Sequence, residues 1–170
     1  MAEPAYLFTR YDSILFFKLT GESKYTHSVG FDYFLDQLME KSDFDHAVFD
    51  LTEAEYIDST NLGLMAKIAV FMKKQDKPVP TIISTNDNIN QILESVNFGS
   101  FFKIIREPET SFSPEDEIPK MEGDRKTSTK MIIDAHKNLI RLSKENEETF
   151  QDIVSLLEEE ARQEGSDKES

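Results

Sequence analysis

The sequence predicts an α/β fold with a mixed β-sheet, and three observations lead to that prediction. Short β-rich runs alternate with segments of helical periodicity between Tyr6 and Ile105. Their order, β-β-α-β-α-β-α-β, implies parallel neighbouring strands and helices packed mainly on one side of the sheet. Beyond this region the apolar residues recur at helical spacing only, which indicates an α-helical C-terminal tail.

Each element has a local signal. The first two strands, 6–10 and 14–19, are separated by a short polar turn that indicates a hairpin. Residues 31–38 place Phe and Leu at i, i+3, i+4 and i+7, as on one face of a helix. The remaining predicted elements are a strand at 46–51, a helix at 61–75, a strand at 80–84, a helix at 89–96 and a strand at 101–105.

A change of composition divides the chain near Arg106. We expect one domain over 1–106, and then an acidic, proline-rich linker over 107–123 that cannot bury enough apolar surface to order itself. An amphipathic helical tail is predicted over 124–163, followed by a disordered end over 164–170.

The tail carries two apolar stripes, one before and one after Asn146. Asn146 is a candidate cap for a second helix, although one long helix is equally compatible with the sequence. A helix with one narrow apolar stripe is not stable alone in water. The tail is therefore expected to pack on the domain, on a second copy to form a homodimer, or on a partner.

Composition excludes several functional classes. With 33 acidic and 19 basic residues the net charge is −14, which repels nucleic-acid phosphates and anionic lipid. No apolar run approaches the roughly 18 residues of a membrane span, and no N-terminal stretch has the pattern of a signal peptide. The absence of cysteine excludes thiol chemistry, and the three separated histidines do not predict a metal site. We expect a cytoplasmic protein without cofactor or catalytic activity.

The segment 49–64 carries the candidate site. A strand ends near Leu51, and Asp58-Ser59-Thr60 stands where the next helix begins. Small side chains with an oxygen atom at this position accept hydrogen bonds from the free N–H groups of the first helical turn. On this observation alone the three residues are a helix cap.

Two further surfaces near this segment are candidates for partner binding. The loop Ser84-Thr85-Asn86 follows a parallel strand and should open on the same edge of the sheet, where it either lines a docking site or caps the next helix. In the helix after Ser59, three apolar residues form a second stripe opposite the one expected to face the sheet. These residues are Leu64, Ile68 and Phe71. An outer apolar stripe predicts that the tail, a second copy or a partner covers it.

The run from Asp58 to Leu64, Asp-Ser-Thr-Asn-Leu-Gly-Leu, resembles the signature of the STAS domain, the fold of bacterial anti-sigma-factor antagonists. Leu19-Thr-Gly-Glu22, Val48-Phe-Asp-Leu51 and the run 96–105 match the same family in register. The resemblance implies that Ser59 is a phosphoacceptor, modified by a kinase and restored by a PP2C-type phosphatase. Asn61 replaces the usual glycine, and asparagine tolerates unusual backbone angles better than most residues.

This resemblance also implies a function and a class of partner. The unphosphorylated chain would capture an anti-sigma factor or switch kinase and so free a sigma factor, with Asp58 to Asn61 in the contact. The acidic tail is similar to that of longer antagonists, whose partner is a response regulator with kinase-like or PP2C phosphatase domains, and whose output is a stress response or a switch of motility. Alternatives are an accessory subunit of an ABC-type lipid transporter, a constitutive adaptor and a small-ligand sensor.

Overall fold

The computed structural model of the protein describes residues 3–107 and 116–167. The strands of these stretches are β1 (Ala5–Tyr11), β2 (Ile14–Ser23), β3 (His46–Asp50), β4 (Ala54–Ile57), β5 (Thr81–Ile83), β6 (Lys103–Ile105) and β7 (Asp116–Glu117). The α-helices are α1 (Val29–Lys41), α2 (Ser59–Lys74), α3 (Asp87–Ser95), α4 (Arg125–Leu142) and α5 (Lys144–Asp167). Over the described stretches, no helix is both long and apolar enough to cross a lipid bilayer.

The strands form one mixed sheet in the order β6-β5-β3-β2-β1-β7. Strands β2, β3, β5 and β6 run parallel, whereas β1 pairs antiparallel with both β2 and β7. This arrangement confirms the predicted α/β class and the N-terminal hairpin. The sequence did not predict β4, which pairs with the end of β2 after a register shift between Gly21 and Glu22. Gly21 has a φ of 64°, a backbone conformation that glycine adopts without steric cost.

The helices pack mainly on the face of the sheet that is most deeply buried. Along β2, Leu15, Phe17 and Leu19 have 0% exposure, while the side chains between them are half-buried. The Phe17 ring stacks on Phe49 of β3 at 5.0 Å and meets Phe31 of α1 edge-on at 6.0 Å. Buried aromatic rings of this kind contribute large apolar areas to a core. They therefore join α1 to the sheet.

The tail forms two antiparallel helices, here called the C-terminal hairpin (α4 and α5). Arg125 near the start of α4 pairs with Glu164 near the end of α5 at 2.8 Å. The helices separate at Ser143, whose backbone is extended and whose Oγ accepts a hydrogen bond from the Asn146 N–H at 3.1 Å. Asn146 lies inside α5 and is 1% exposed, so its predicted role as the cap is wrong. Ser143 is the cap of α5 instead, because its extended backbone ends α4 and its hydroxyl accepts from the Asn146 N–H.

The predicted linker and disordered end lie partly outside the described residues, at 108–115 and 168–170. Strand β7 and Ile118 lie within the predicted linker. The strand pairs with β1, and the Ile118 N–H donates to the Tyr6 carbonyl at 2.8 Å. Ile118 is 3% exposed, so this part of the segment is joined to the sheet. Helix α5 continues to Asp167, beyond the predicted end of the tail. The division of the chain into domains stays a prediction.

Candidate functional site

Helix α2 begins at Ser59, and Asp58 caps it. The Asp58 backbone is extended, and its Oδ1 accepts a hydrogen bond from the Asn61 N–H at 2.9 Å. The Asp58 carbonyl receives the first helical bond from Leu62 at 3.1 Å, and Oδ2 accepts from the Tyr25 N–H at 2.6 Å. The cap predicted from sequence is therefore present. It makes Ser59 the first residue of a helix of 16 residues.

A buried polar cluster fixes the start of α2 against the sheet. Asn61 has 0% exposure, and its Oδ1 accepts hydrogen bonds from the Tyr6 hydroxyl at 2.6 Å and the Ser28 hydroxyl at 3.0 Å. Its Nδ2 donates to Asp58 Oδ1 at 2.8 Å. Burial raises the pKa of Tyr6 to about 12, since the ionised phenolate loses its hydration. The phenol therefore stays a hydrogen-bond donor at physiological pH.

The replacement of glycine by Asn61 has a different reason from the one the sequence suggested. Asn61 lies within α2 and is not among the residues with positive φ. The side chain of Asn61 is therefore what the structure uses. It connects the cap of α2 to Tyr6 in β1 and to Ser28, the residue before α1.

The C-terminal hairpin covers Ser59, a contact the sequence did not predict. Ser59 Oγ lies 2.8 Å from His136 Nε2 of α4, 77 positions later in the chain. His136 Nδ1 lies 2.7 Å from the Ile132 carbonyl, which can only accept, so we assign the ring proton to Nδ1. In the neutral ring Nε2 is then the acceptor, and the Ser59 hydroxyl donates to it.

His136 is held within the hairpin and is 4% exposed. The Phe150 ring of α5 meets it edge-on at 5.5 Å. His136 is therefore a buried residue of the hairpin. The sequence carries one signal of this burial, since His136 lies on the apolar stripe of α4 together with Ala135 and Leu139. Nothing in the local sequence indicates Ser59 as its partner.

Helix α4 lies along the Gly63 side of α2. A Cβ atom on Gly63 would stand 2.2 Å from the Ala135 carbonyl oxygen and 2.7 Å from the Ala135 Cβ. Only a residue without a side chain permits such a close approach of two helix backbones. Gly63 therefore determines how closely α4 can approach Ser59.

The predicted second apolar stripe of α2 lies largely in the core. Leu64 and Ile68 are 1% and 0% exposed, and Phe71 is half-buried against Phe44, with 5.9 Å between the ring centroids. At about 100° per residue, these three lie roughly 80° to 140° around the helix from Gly63, the residue that α4 approaches most closely. Leu64 and Ile68 belong to the hydrophobic core cluster, which also includes Leu139 of the hairpin, and Phe71 packs against it. Leu64 and Ile68 are consequently closed to a partner in this conformation.

The loop Ser84-Thr85-Asn86 lies at the same edge of the sheet as the segment that leads to Ser59. The Leu51 N–H donates to the Ile83 carbonyl at 2.8 Å, which brings together the ends of β3 and β5. Asn86 caps α3 through its Oδ1, which accepts from the Asn88 N–H at 2.8 Å. Ser84 has 0% exposure, whereas Thr85 is exposed. Thr60, in the first turn of α2, is 4% exposed.

Comparison with known proteins gives a family and a set of similar folds. The family model described as STAS domain matches residues 6–111. Comparison with curated protein sequences gives no match.

Three solved structures illustrate the likeness of fold. The anti-sigma factor antagonist SpoIIAA in its unphosphorylated form aligns with a TM-score of 0.51 and 11% identity, over 62% of this chain and 91% of that one. The phosphorylated form of SpoIIAA, a Bacillus cell fate determinant, gives the same TM-score and identity over 62% and 93%. A putative anti-sigma factor antagonist from Thermotoga maritima aligns with a TM-score of 0.52 and 19% identity, over 59% and 85%.

Proposed function

Since this chain belongs to the STAS domain family, we propose that it is an anti-sigma-factor antagonist controlled by phosphorylation of Ser59. In its unphosphorylated form it binds and sequesters an anti-sigma factor or switch kinase, and so frees a sigma factor for transcription. Phosphorylation releases the partner. SpoIIAA, to which the fold is similar, is known in unphosphorylated and phosphorylated forms, which supports the choice of a phosphate as the switching group.

The observation that carries this proposal is the position of Ser59 as the first residue of α2. A phosphoserine adds about −1.5 to −2 charges and three acceptor oxygens. The positive end of the helix dipole and the N–H groups of the first turn tolerate such a group. The fold therefore survives modification at this position.

Binding responds differently, because Asp58 stands beside the modified residue. A partner surface docked on Asp58 and Ser59 would meet a carboxylate and a phosphate together, and burying both without compensating cations costs free energy. The bonds of Asn61 to Tyr6 and Ser28 keep the start of α2 in place while this charge changes. Phosphorylation thus acts on affinity while the sheet and α2 keep their fold.

The proposed partner is a protein with a kinase-like fold, either an anti-sigma factor or a response regulator that also carries a PP2C phosphatase domain. Such a partner accounts for both directions of the switch. The net charge of −14 favours a protein partner over nucleic acid. Regulation of a stress response or of motility is the output we propose.

The Ser59–His136 pair also has the spacing of a nucleophile and its base, 2.8 Å. Acyl-transfer chemistry further needs N–H donors aimed at a developing oxyanion. Here the Asn61 N–H already donates to Asp58. We therefore assign Ser59 as the substrate of another enzyme. Labelling of Ser59 by a fluorophosphonate probe, abolished by His136→Ala, would contradict this assignment.

The test is affinity capture from the source cells with four parallel baits, read by mass spectrometry. The baits are the wild-type chain, Ser59→Ala, Ser59→Asp and Ser100→Asp, the last adding the same charge at an exposed serine. We expect a kinase-fold protein on every bait except Ser59→Asp. If all four baits hold the same protein, Ser59 is only a helix residue and the chain is a constitutive adaptor or transporter subunit.

A further inference from the structure

The hairpin occupies the surface that a partner of Ser59 would need. Ser59 is half-buried, and its hydroxyl oxygen lies 2.8 Å from His136 Nε2. Any protein that recognises or phosphorylates this hydroxyl must reach an oxygen atom that α4 already covers. Access to Ser59 and contact with α4 therefore exclude each other.

The two helices leave no room for a third element at this end. Gly63 stands one helical turn after Ser59, where a Cβ would lie 2.2 Å from the Ala135 carbonyl oxygen. Farther along, α2 and α4 diverge around a groove of about 380 Å³, lined in part by Met39, Val70 and Arg141. The contact is thus tightest where Ser59 lies.

The hairpin has internal contacts that would persist if it moved. Lys137 of α4 pairs with Glu158 of α5 at 3.2 Å, and the Phe150 ring packs on His136. Asn146 Nδ2 donates to the Leu139 carbonyl at 3.0 Å within the hairpin, and to the Val96 carbonyl of the domain at 2.9 Å. These contacts within the hairpin hold its two helices to each other without the help of α2.

We propose that the C-terminal hairpin competes with the partner for the face of α2 around Ser59 and Gly63, so that the partner binds only when α4 is displaced. This inference rests on the proposed function, in which the partner docks on Ser59. The face fits an amphipathic helix that carries a small residue opposite Gly63, as Ala135 does now. The partner inserts such a helix, and a kinase that modifies Ser59 likewise needs α4 displaced.

Two glycines provide a matched pair of variants for testing the hairpin in the full chain. Gly63→Ala adds a methyl group against the Ala135 backbone, whereas Gly99→Ala adds the same group where nothing lies within 4 Å. Hydrogen exchange read by mass spectrometry should show amides of α4 exchanging roughly tenfold faster or more in Gly63→Ala, with β2 and β3 unchanged. Gly99→Ala should exchange as the wild type does.

Two results of this experiment would overturn the proposal. One is an unchanged exchange rate in α4, and the other is faster exchange in α4, β2 and β3 together, because the hairpin would then be part of one cooperative unit. If Gly63→Ala does not fold, Ser59→Ala removes only the hydrogen bond to His136 and is measured in its place. A rise confined to α4 supports the proposal, and unchanged exchange overturns it.

Binding kinetics separate this proposal from the switch itself. With the purified kinase-fold partner identified by capture, Ala135→Leu crowds the α4 side of the Gly63 contact and leaves the face of α2 unchanged, so it should associate roughly tenfold faster than the wild type, and Gly99→Ala at the wild-type rate. If Ala135→Leu brings no gain while Ser59→Asp still abolishes binding, the hairpin proposal fails and the switch stands. If Ser59→Asp binds as the wild type does, the switch fails whatever the exchange experiment shows.

Discussion

Replacing Asn61 by alanine tests how the start of α2 is held, because this side chain is the centre of the buried polar cluster. The substitution removes three hydrogen bonds, to Tyr6, Ser28 and Asp58. At about 1 kcal/mol net for each bond, the loss is about 3 kcal/mol. Alanine returns up to about 0.5 kcal/mol through its higher helix propensity. We therefore expect the free energy of unfolding to fall by about 2 to 3 kcal/mol.

The partners of Asn61 keep other contacts, which is why the loss is not larger. Tyr6 still reaches the Ser28 hydroxyl at 3.0 Å, and Asp58 still accepts from the backbone N–H of residue 61. No buried donor is therefore left entirely without an acceptor, and the larger cost of an unsatisfied group is avoided.

The assay is equilibrium unfolding in urea, followed by far-UV circular dichroism. The matched control is Asn90→Ala in α3, since Asn90 Oδ1 accepts no hydrogen bond from the residues that the structure describes. The control should lie within about 0.5 kcal/mol of the wild type. A loss at Asn61 no larger than that of the control would refute the assignment of Asn61 as the centre of the cluster.

Three further predictions concern stability. Because unfolded Tyr6 ionises near pH 10 and folded Tyr6 near pH 12, this residue should lower stability by about 3 kcal/mol as the pH rises through the window, and Tyr6→Phe should remove that contribution in unfolding titrations; an unchanged pH dependence would contradict the burial of Tyr6. Asp58→Ala should destabilise by about 2 kcal/mol and Asp58→Asn by about 1, because the amide keeps one oxygen for the Asn61 N–H and loses the bond from the Tyr25 N–H; thermal unfolding would show this, and equal losses would exclude the cap. Asn146→Ala should lower the free energy of unfolding by about 2 kcal/mol, because the bonds to the Val96 and Leu139 carbonyls are lost, and hydrogen exchange in the hairpin should become faster. Unchanged exchange would contradict the role of Asn146 in holding the hairpin on the domain.

The sequence was sufficient for the order of the longer strands and helices of the domain and for the start of α2. Both depend on local patterns, the apolar periodicity and the small polar residues before a helix. Strand β4 escaped notice because it has four residues, of which Glu55 and Tyr56 are exposed, so that it lacks an apolar run. Its pairing with β2 depends on a shift at Gly21 that no local pattern indicates.

Features that depend on packing between distant segments were not predictable. The face of α2 that meets α4 is determined by Gly63 and Ala135, and a glycine in a helix does not reveal which helix approaches it. The contact of Ser59 with His136 joins residues 77 positions apart. Helical spacing placed His136 on a buried stripe, but only the docked hairpin determines what that stripe covers.

The most direct test of the proposed switch is the affinity of one sample for the kinase-fold partner before and after dephosphorylation. The chain is made with phosphoserine at position 59 by genetic encoding, and binding is measured by calorimetry before and after treatment with a PP2C-type phosphatase. We expect removal of the phosphate to tighten binding by roughly tenfold or more, with an unchanged circular dichroism spectrum. Equal affinity before and after treatment would contradict the account.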